Sequence, residues 1–296
     1  MLARHEFRRA FGLFAAAIAI AMFCLPVAPV AAETFLFTAI PDEDESRLRS
    51  RFDKVAKYLG EQLGVKVEFV PVKSYAAAVT AFRNDQVQLA WFGGLSGVRA
   101  RNLVQGSQAI AQGEEDTEFV TYFIAHSSTG LGASEDFPKA IGGKTFTFGS
   151  KGSTSGRLMP EYHVRMALGD APDKVFERVG FSGDHSRTIA LVQSGAYEVG
   201  AVNFKVWDNE MKAGKIDESK VSVVWKTPPY PDYNWTIRGD VDARFGAGFQ
   251  EKVRQALLEL DNPDLLASFP RRSFIPATNA DYQPIEDLGK AIGLLE

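Results

Sequence analysis

Short apolar runs alternate along this chain with longer stretches whose apolar residues fall at helical spacing. That alternation commits it to an α/β fold. Residues 35–40 are predicted as a first strand. Residues 47–63 follow as a helix, with Phe52, Val55, Ala56, Leu59 and Leu63 on one face and Gly64 closing it. A strand at 65–70, an alanine-rich helix at 75–83 and a buried strand at 87–92 come next, and Gly93-Gly94 opens the turn into another helix. This rhythm predicts a mainly parallel, doubly wound sheet with helices on both faces. It then restarts, with apolar runs at 119–125, 145–149, 175–181, 199–202 and 221–225 and a helix at 155–168. Thr227-Pro228-Pro229-Tyr230-Pro231 breaks it, since prolines so dense cannot sit in a regular element. The remainder is predicted mostly helical, at 245–258, 263–269 and 282–294. Two alternating units and a tail fit two α/β lobes, the tail packing back on the first.

The N-terminus bears on compartment. Arg4, Arg8 and Arg9 precede an uncharged apolar stretch from residue 10 to 27, and small residues lead to Ala31-Ala32. Basic start, short apolar core and small-residue exit describe a secretory signal peptide, with cleavage expected after Ala32 and a periplasmic destination. The single cysteine, Cys24, lies inside that segment, so the exported chain would have no disulfide, thiolate metal site or cysteine nucleophile. Of 33 Lys+Arg and 37 Asp+Glu the leader carries three and one, leaving 30 cationic against 36 anionic side chains. Such a chain has no basic surplus for nucleic acid, and any anion must be held locally by oriented donors.

One segment concentrates such donors. Gly149-Ser150-Lys151-Gly152-Ser153-Thr154-Ser155-Gly156 follows an apolar strand and precedes a helix. Free N–H groups at a helix N-terminus, three consecutive hydroxyls and two glycines admitting close approach suit a tetrahedral oxyanion. It is not a nucleotide P-loop, because Arg157 and Leu158 follow Gly156. Phe181-Ser182-Gly183-Asp184-His185-Ser186-Arg187 is a second strand-to-helix junction, where His185 offers a hydrogen bond and Arg187 a charge. Among the aromatics at strand ends, Tyr75 and Tyr122 are the preferred ligand contacts, since a phenol donates to an anion. The acidic run Asp42-Glu43-Asp44-Glu45 reads as negative charge at a helix N-terminus. The four histidines show no metal-ligand spacing, so neither metal nor cofactor is expected.

Taken together, Phe37-Thr38-Ala39-Ile40-Pro41-Asp42-Glu43-Asp44, Ser74-Tyr75-Ala76-Ala77, Leu89-Ala90-Trp91-Phe92-Gly93-Gly94-Leu95-Ser96, Gly152-Ser153-Thr154-Ser155-Gly156 and Gly183-Asp184-His185-Ser186 resemble the exported phosphonate/phosphite-binding proteins of ABC importers. They look closest to the branch labelled selenate-binding. The resemblance implies a periplasmic binding protein-like (type II) fold, with a hinge and a cleft between the lobes. It implies a first lobe of residues 33–123 plus 236–296 and a second of 124–235, with crossovers near residues 124 and 232. It places ligand contacts at Tyr75, Tyr122, Ser153, Thr154, Ser155, His185 and Asp232. Aminophosphonate binders carry a Glu after the strand equivalent to 199–202; here Asn203-Phe204-Lys205-Val206-Trp207 holds no carboxylate, which favours a small bare oxyanion. If Asp232 lines the pocket, the anion must carry a proton, as phosphite, phosphate or methylphosphonate does near neutral pH; if it faces solvent, an all-donor pocket suits selenate or sulfate.

The expected output is delivery of the anion by a monomer to an inner-membrane ABC permease. A sensor presenting its ligand to a membrane histidine kinase is the alternative, and a hydrolase using Ser155 with His185 as base is the rival from another class. Against the rival, Asp184 is badly placed to orient the imidazole, and Thr154 stands where a nucleophile elbow needs Ser.

Overall fold

Two β-sheets carry the chain in the computed structural model, which describes residues 33–43 and 45–296. The expected leader, its expected cleavage site and Cys24 lie outside the described residues. β1 (Phe35–Ala39), α1 (Glu45–Leu63), β2 (Val67–Phe69), α2 (Tyr75–Arg83), β3 (Leu89–Phe92), α3 (Gly94–Leu103) and β4 (Gln108–Gly113) come first. The second sheet is built by β5 (Thr121–His126), β6 (Thr145–Phe148), α4 (Met159–Leu168), α5 (Pro172–Val175), β7 (Arg178–Phe181), α6 (His185–Gln193), β8 (Val199–Asn203), α7 (Phe204–Lys212) and β9 (Val221–Lys226). The chain then returns with β10 (Asn234–Ile237), α8 (Val241–Phe245), α9 (Phe249–Leu258), α10 (Pro263–Ser268), β11 (Phe274–Pro276) and α11 (Gln283–Ala291).

The six-stranded sheet runs β11-β4-β10-β3-β1-β2 and the five-stranded sheet β7-β6-β8-β5-β9. Both are mixed, which corrects the mainly parallel expectation. β1 pairs in parallel with β2 and β3, and β6 with β7 and β8. Each strand that enters from the other sheet, β5 or β10, inserts antiparallel between two neighbours. The tail is also less helical than predicted: it adds β10 and β11 to the first sheet, and the helix expected at 245–258 begins only at Phe249, Gly246-Ala247-Gly248 separating it from the short α8. Ladder pairing begins at Thr121 in the second sheet and at Asn234 where the chain rejoins the first.

Burial follows the apolar spacing. Phe52, Val55, Leu59 and Leu63 of α1 are buried against β1, whose Phe35 and Phe37 are fully enclosed. Phe52 stacks on Phe69 at 4.9 Å, and Trp91, Trp235, Phe269 and Phe274 continue the aromatic packing beneath the tail. Enclosing each such ring is worth about 2–3 kcal/mol. The second sheet is covered on both faces, by Phe123, Phe146, Val199 and Trp225 on one and by Ile124, Val202, Val206 and Trp207 on the other. A Cβ at Gly200 would lie 2.9 Å from Val192 and 3.0 Å from Thr188, so the glycine lets α6 settle onto β8. That contact sets His185, the first residue of α6, beside the C-terminal end of β8.

The two crossing segments are zipped together. Phe119 and Tyr230 exchange backbone hydrogen bonds of 2.9 Å in both directions, and Asp232 N–H donates to Asp116 O at 3.0 Å. Beneath them, Arg271 of the tail grips Asp116 with two side-chain hydrogen bonds, 2.8 and 2.7 Å, both groups being almost wholly buried. Burial alone would lower the Arg271 pKa, but the Asp116 carboxylate outweighs it and holds the guanidinium above its ordinary value. The tail thus anchors the segment that leads into β5.

Candidate functional site

The C-terminal ends of the strands in both sheets meet at one seam, where ligands of open α/β sheets bind. From the first sheet come Asp42 after β1, Tyr75 opening α2 and Gly93-Gly94 after β3. From the second come the 149–156 loop after β6, His185 after β7 and Asn203 at the end of β8. Tyr230 to Tyr233 lie on the returning segment.

Ser153, Thr154, Ser155, His185, Tyr75 and Asp232 are each at most 2% exposed. Ser153 caps the helical turn that begins at Thr154, its Oγ accepting from Gly156 N–H at 2.9 Å. A Cβ on Gly156 would lie 3.0 Å from the His185 ring, so glycine lets the loop and imidazole touch. Leu95 N–H donates to Thr154 Oγ1 at 3.0 Å, and Gly94 N–H to Asp232 Oδ1 at 2.8 Å. A Cβ on Gly152 would lie 3.1 Å from Tyr75 Cβ. Helix N-termini from both sheets therefore abut here.

Three buried atoms around this loop lack a hydrogen bond of good geometry: Tyr75 OH, His185 Nε2 and Asp232 Oδ2. Polar groups are rarely left so without a purpose. His185 Nδ1 accepts from Asn203 N–H at 3.2 Å, which leaves the ring proton on Nε2 as a donor. Burial pushes the His185 pKa down to about 3, keeping the imidazole neutral. Burial pushes Asp232 up to about 7, although Thr154 and Gly94 N–H pull it back. The Tyr75 phenol is raised well above its ordinary value by burial, then by Asp42 and Asp232. The donors are thus neutral hydroxyls, amides and an imidazole, faced by one carboxyl poised to hold or share a proton.

Not every expected residue joins them. Tyr122 is half-buried on the opposite face of β5 from Thr121, 6.1 Å from the Phe204 ring and raised in pKa by burial and by Asp208. The structure does not bring it to the cluster, because side chains alternate faces along a strand. Its buried neighbour Thr121 is there instead, donating to Ser155 O at 2.9 Å and lying 2.5 Å from Tyr230 OH. Tyr230 was visible only as one of several aromatics. Arg187 is exposed and lines, with Arg49, Ser150 and Gly183, a groove of about 390 Å³ at the mouth of the seam. Asp184 caps α6 through Arg187 N–H at 2.7 Å, and the imidazole is oriented by the Asn203 amide, not by a carboxylate. Ser155 and His185 therefore lack the third member of a hydrolytic triad.

Two α/β sheets joined by paired crossings, with neutral donors enclosed at their seam, define a two-lobed solute-binding protein. The chain belongs to the family of ABC-transporter periplasmic substrate-binding proteins for phosphonate, whose model matches residues 37–282. It is 41% identical over 261 residues to the "Probable ABC transporter phosphite binding protein PhnD1" of Prochlorococcus marinus, covering 86% of this chain and 88% of that one. The solved structure of PhnD1 from that organism, in complex with methylphosphonate, superposes with a TM-score of 0.85 at 40% identity, over 88% of this chain and 98% of that one. The phosphonates-binding periplasmic protein of Escherichia coli is 25% identical over 198 residues, 66% of this chain and 58% of that one. These relatives are binding components of transporters rather than enzymes, which sets aside the hydrolase. Membership implies a small ligand and a membrane permease as partners.

Proposed function

We propose that the protein clamps one small, proton-bearing phosphorus oxyanion, phosphite or methylphosphonate, and delivers it to its permease. Asp232 carries this reading: its free oxygen is buried beside the donor loop, where it repels an anion without a proton and bonds to one that has it. Tyr75 OH, His185 Nε2 and the Ser153, Thr154 and Ser155 hydroxyls and N–H groups supply the remaining contacts. The first lobe comprises β1 to β4 with the returning chain from Tyr233 onward, and the second comprises β5 to β9, the two closing about the paired crossings. The chain is exported by its leader, cleaved after Ala32, and works as a monomer free to open and close. The test is calorimetric titration with phosphite, methylphosphonate, phosphate, sulfate and selenate at pH 7. Tight binding confined to the phosphorus anions is expected; preference for selenate would overturn the assignment.

The His185 tautomer makes affinity fall in acid. Its pKa of about 3 lies far below the ordinary 6.5, so its contribution to the closed form is full above pH 6.5 and is lost as pH drops toward 3. An exposed imidazole must shed its proton on closing, because Nδ1 already faces the Asn203 N–H. Phosphite affinity is expected to weaken by up to about tenfold per pH unit below 6. His185→Gln, which keeps a neutral donor, should flatten that limb in titrations at pH 5, 6 and 7. Equal wild-type affinity at pH 5 and 7 would contradict the neutral-donor role.

A further inference from the structure

Asp42 and Tyr233 carry no part of the proposed ligand shell, yet both lobes fasten onto them. Tyr233 OH donates to Asp42 Oδ2 at 2.7 Å and accepts from Asn203 Nδ2 at 2.9 Å. His185 N–H donates to Asp42 O at 3.0 Å. Asp42 and Tyr233 flank strands β1 and β10 of the first sheet, whereas Asn203 ends β8 and His185 begins α6 on the second. Two hydrogen bonds therefore cross the seam onto one pair. Their geometry is fixed from behind. Asn203 Oδ1 is occupied by the N–H groups of Lys205 (2.7 Å) and Val206 (3.3 Å) at the start of α7, which turns Nδ2 toward Tyr233. The Tyr233 ring stacks on Trp91 at 5.4 Å and is buried. Asn203 also presents the backbone N–H that fixes the His185 tautomer.

We propose that Asp42 and Tyr233 are a positioning pair on the first lobe that receives Asn203 and His185 of the second on closure, and so sets how fast the anion leaves. This rests on the clamp reading above. These bonds form only when the lobes meet, so the pair favours the closed form with or without an anion and acts on the anion only once it is enclosed. The Asn203 N–H aims His185 within the second lobe, so the two segments that dock on the pair present the imidazole already oriented.

Tyr233→Phe removes the hydroxyl and keeps the stacked ring; Asn203→Asp keeps the acceptor that caps α7 and removes the donor to Tyr233. Stopped-flow binding of phosphite should show koff raised about three- to tenfold in Asn203→Asp, the yield of one lost neutral hydrogen bond, and at least as much in Tyr233→Phe, which loses the Asp42 bond as well, with kon unchanged. The double variant should be no worse than the poorer single one, since both delete the same bond. Unchanged melting temperatures would exclude misfolding as the cause. Unchanged koff, a change confined to kon, or multiplicative effects in the double variant would overturn the proposal. A second readout separates it from the identity of the ligand. Cys24 is the chain's only cysteine and lies in the leader, so Lys57→Cys and Lys139→Cys place unique spin labels on exposed sites of the two lobes. If no anion binds, the clamp reading fails on its own terms, and interlobe distances of the ligand-free chain still decide this pair. Tyr233→Phe should shift them longer, and an identical distribution would sink it.

Discussion

Asp232→Asn is expected to collapse the preference for phosphite over selenate by about a hundredfold. Burial raises the Asp232 pKa to about 7, so its ionised and protonated forms are near balance at pH 7 in the enclosed cleft. Selenate brings no proton and meets the ionised form as a like charge. A phosphate-type anion, with a second pKa of about 6, supplies a proton for about 1.4 kcal/mol and turns the contact into a charge-assisted hydrogen bond. Such a bond is worth up to about 3 kcal/mol, roughly two powers of ten in selectivity. Asparagine is the neutral mimic of the protonated acid: its carbonyl keeps the Gly94 N–H, and its amide turns a permanent donor inward. Selenate and sulfate should gain affinity in the variant while phosphite changes little. A ratio of affinities that stays put would show that selectivity lies elsewhere in the cleft.

Arg271→Ala should destabilise the protein by about 3–5 kcal/mol, as removing one partner of a buried ion pair strands the other charge. Asp116 would lose both side-chain hydrogen bonds and the guanidinium that packs 5.1 Å from the Tyr233 ring centre. Urea unfolding followed by tryptophan fluorescence measures the loss. Arg271→Lys should recover only part of it, because an ammonium cannot grip both carboxylate oxygens in the same plane. Affinity should fall as well, since the Asp116 backbone holds Asp232 N–H. A loss below about 1 kcal/mol would mean that the tail does not anchor the crossing segment.

How much of this was legible beforehand differs by element. Helices α1 and α2 and the central strands announce themselves through local periodicity and caps, which depend on neighbours in sequence. β4, β10 and β11 do not: Gln108–Gly113 is rich in alanine and glutamine, Asn234–Ile237 follows a proline run, and Phe274–Pro276 is only three residues long. They are strands because partners distant in the chain accept their hydrogen bonds, a tertiary effect that propensity cannot register. The 149–156 loop stood out because its chemistry is local, hydroxyls within a glycine frame ahead of a helix. Tyr122 and Thr121 show the opposite case. Periodicity marks β5 as a strand, but which face meets the seam depends on how the two sheets are joined, and one residue decides between a bulky phenol and a threonine. Asp42 read as a charge at a helix N-terminus, and its bond to Tyr233, 191 positions away, has no sequence signature.

The most direct test of a proton shared between Asp232 and the bound anion is a proton count on binding. Phosphite is titrated calorimetrically at about pH 8.5 in buffers of different ionisation heat, where ligand and open-cleft carboxyl are both deprotonated. Uptake approaching one proton per anion bound, abolished in Asp232→Asn, is the expected result. Tight binding with no proton taken up would mean that a bare dianion sits against an ionised Asp232, and the assignment of the cleft would be wrong.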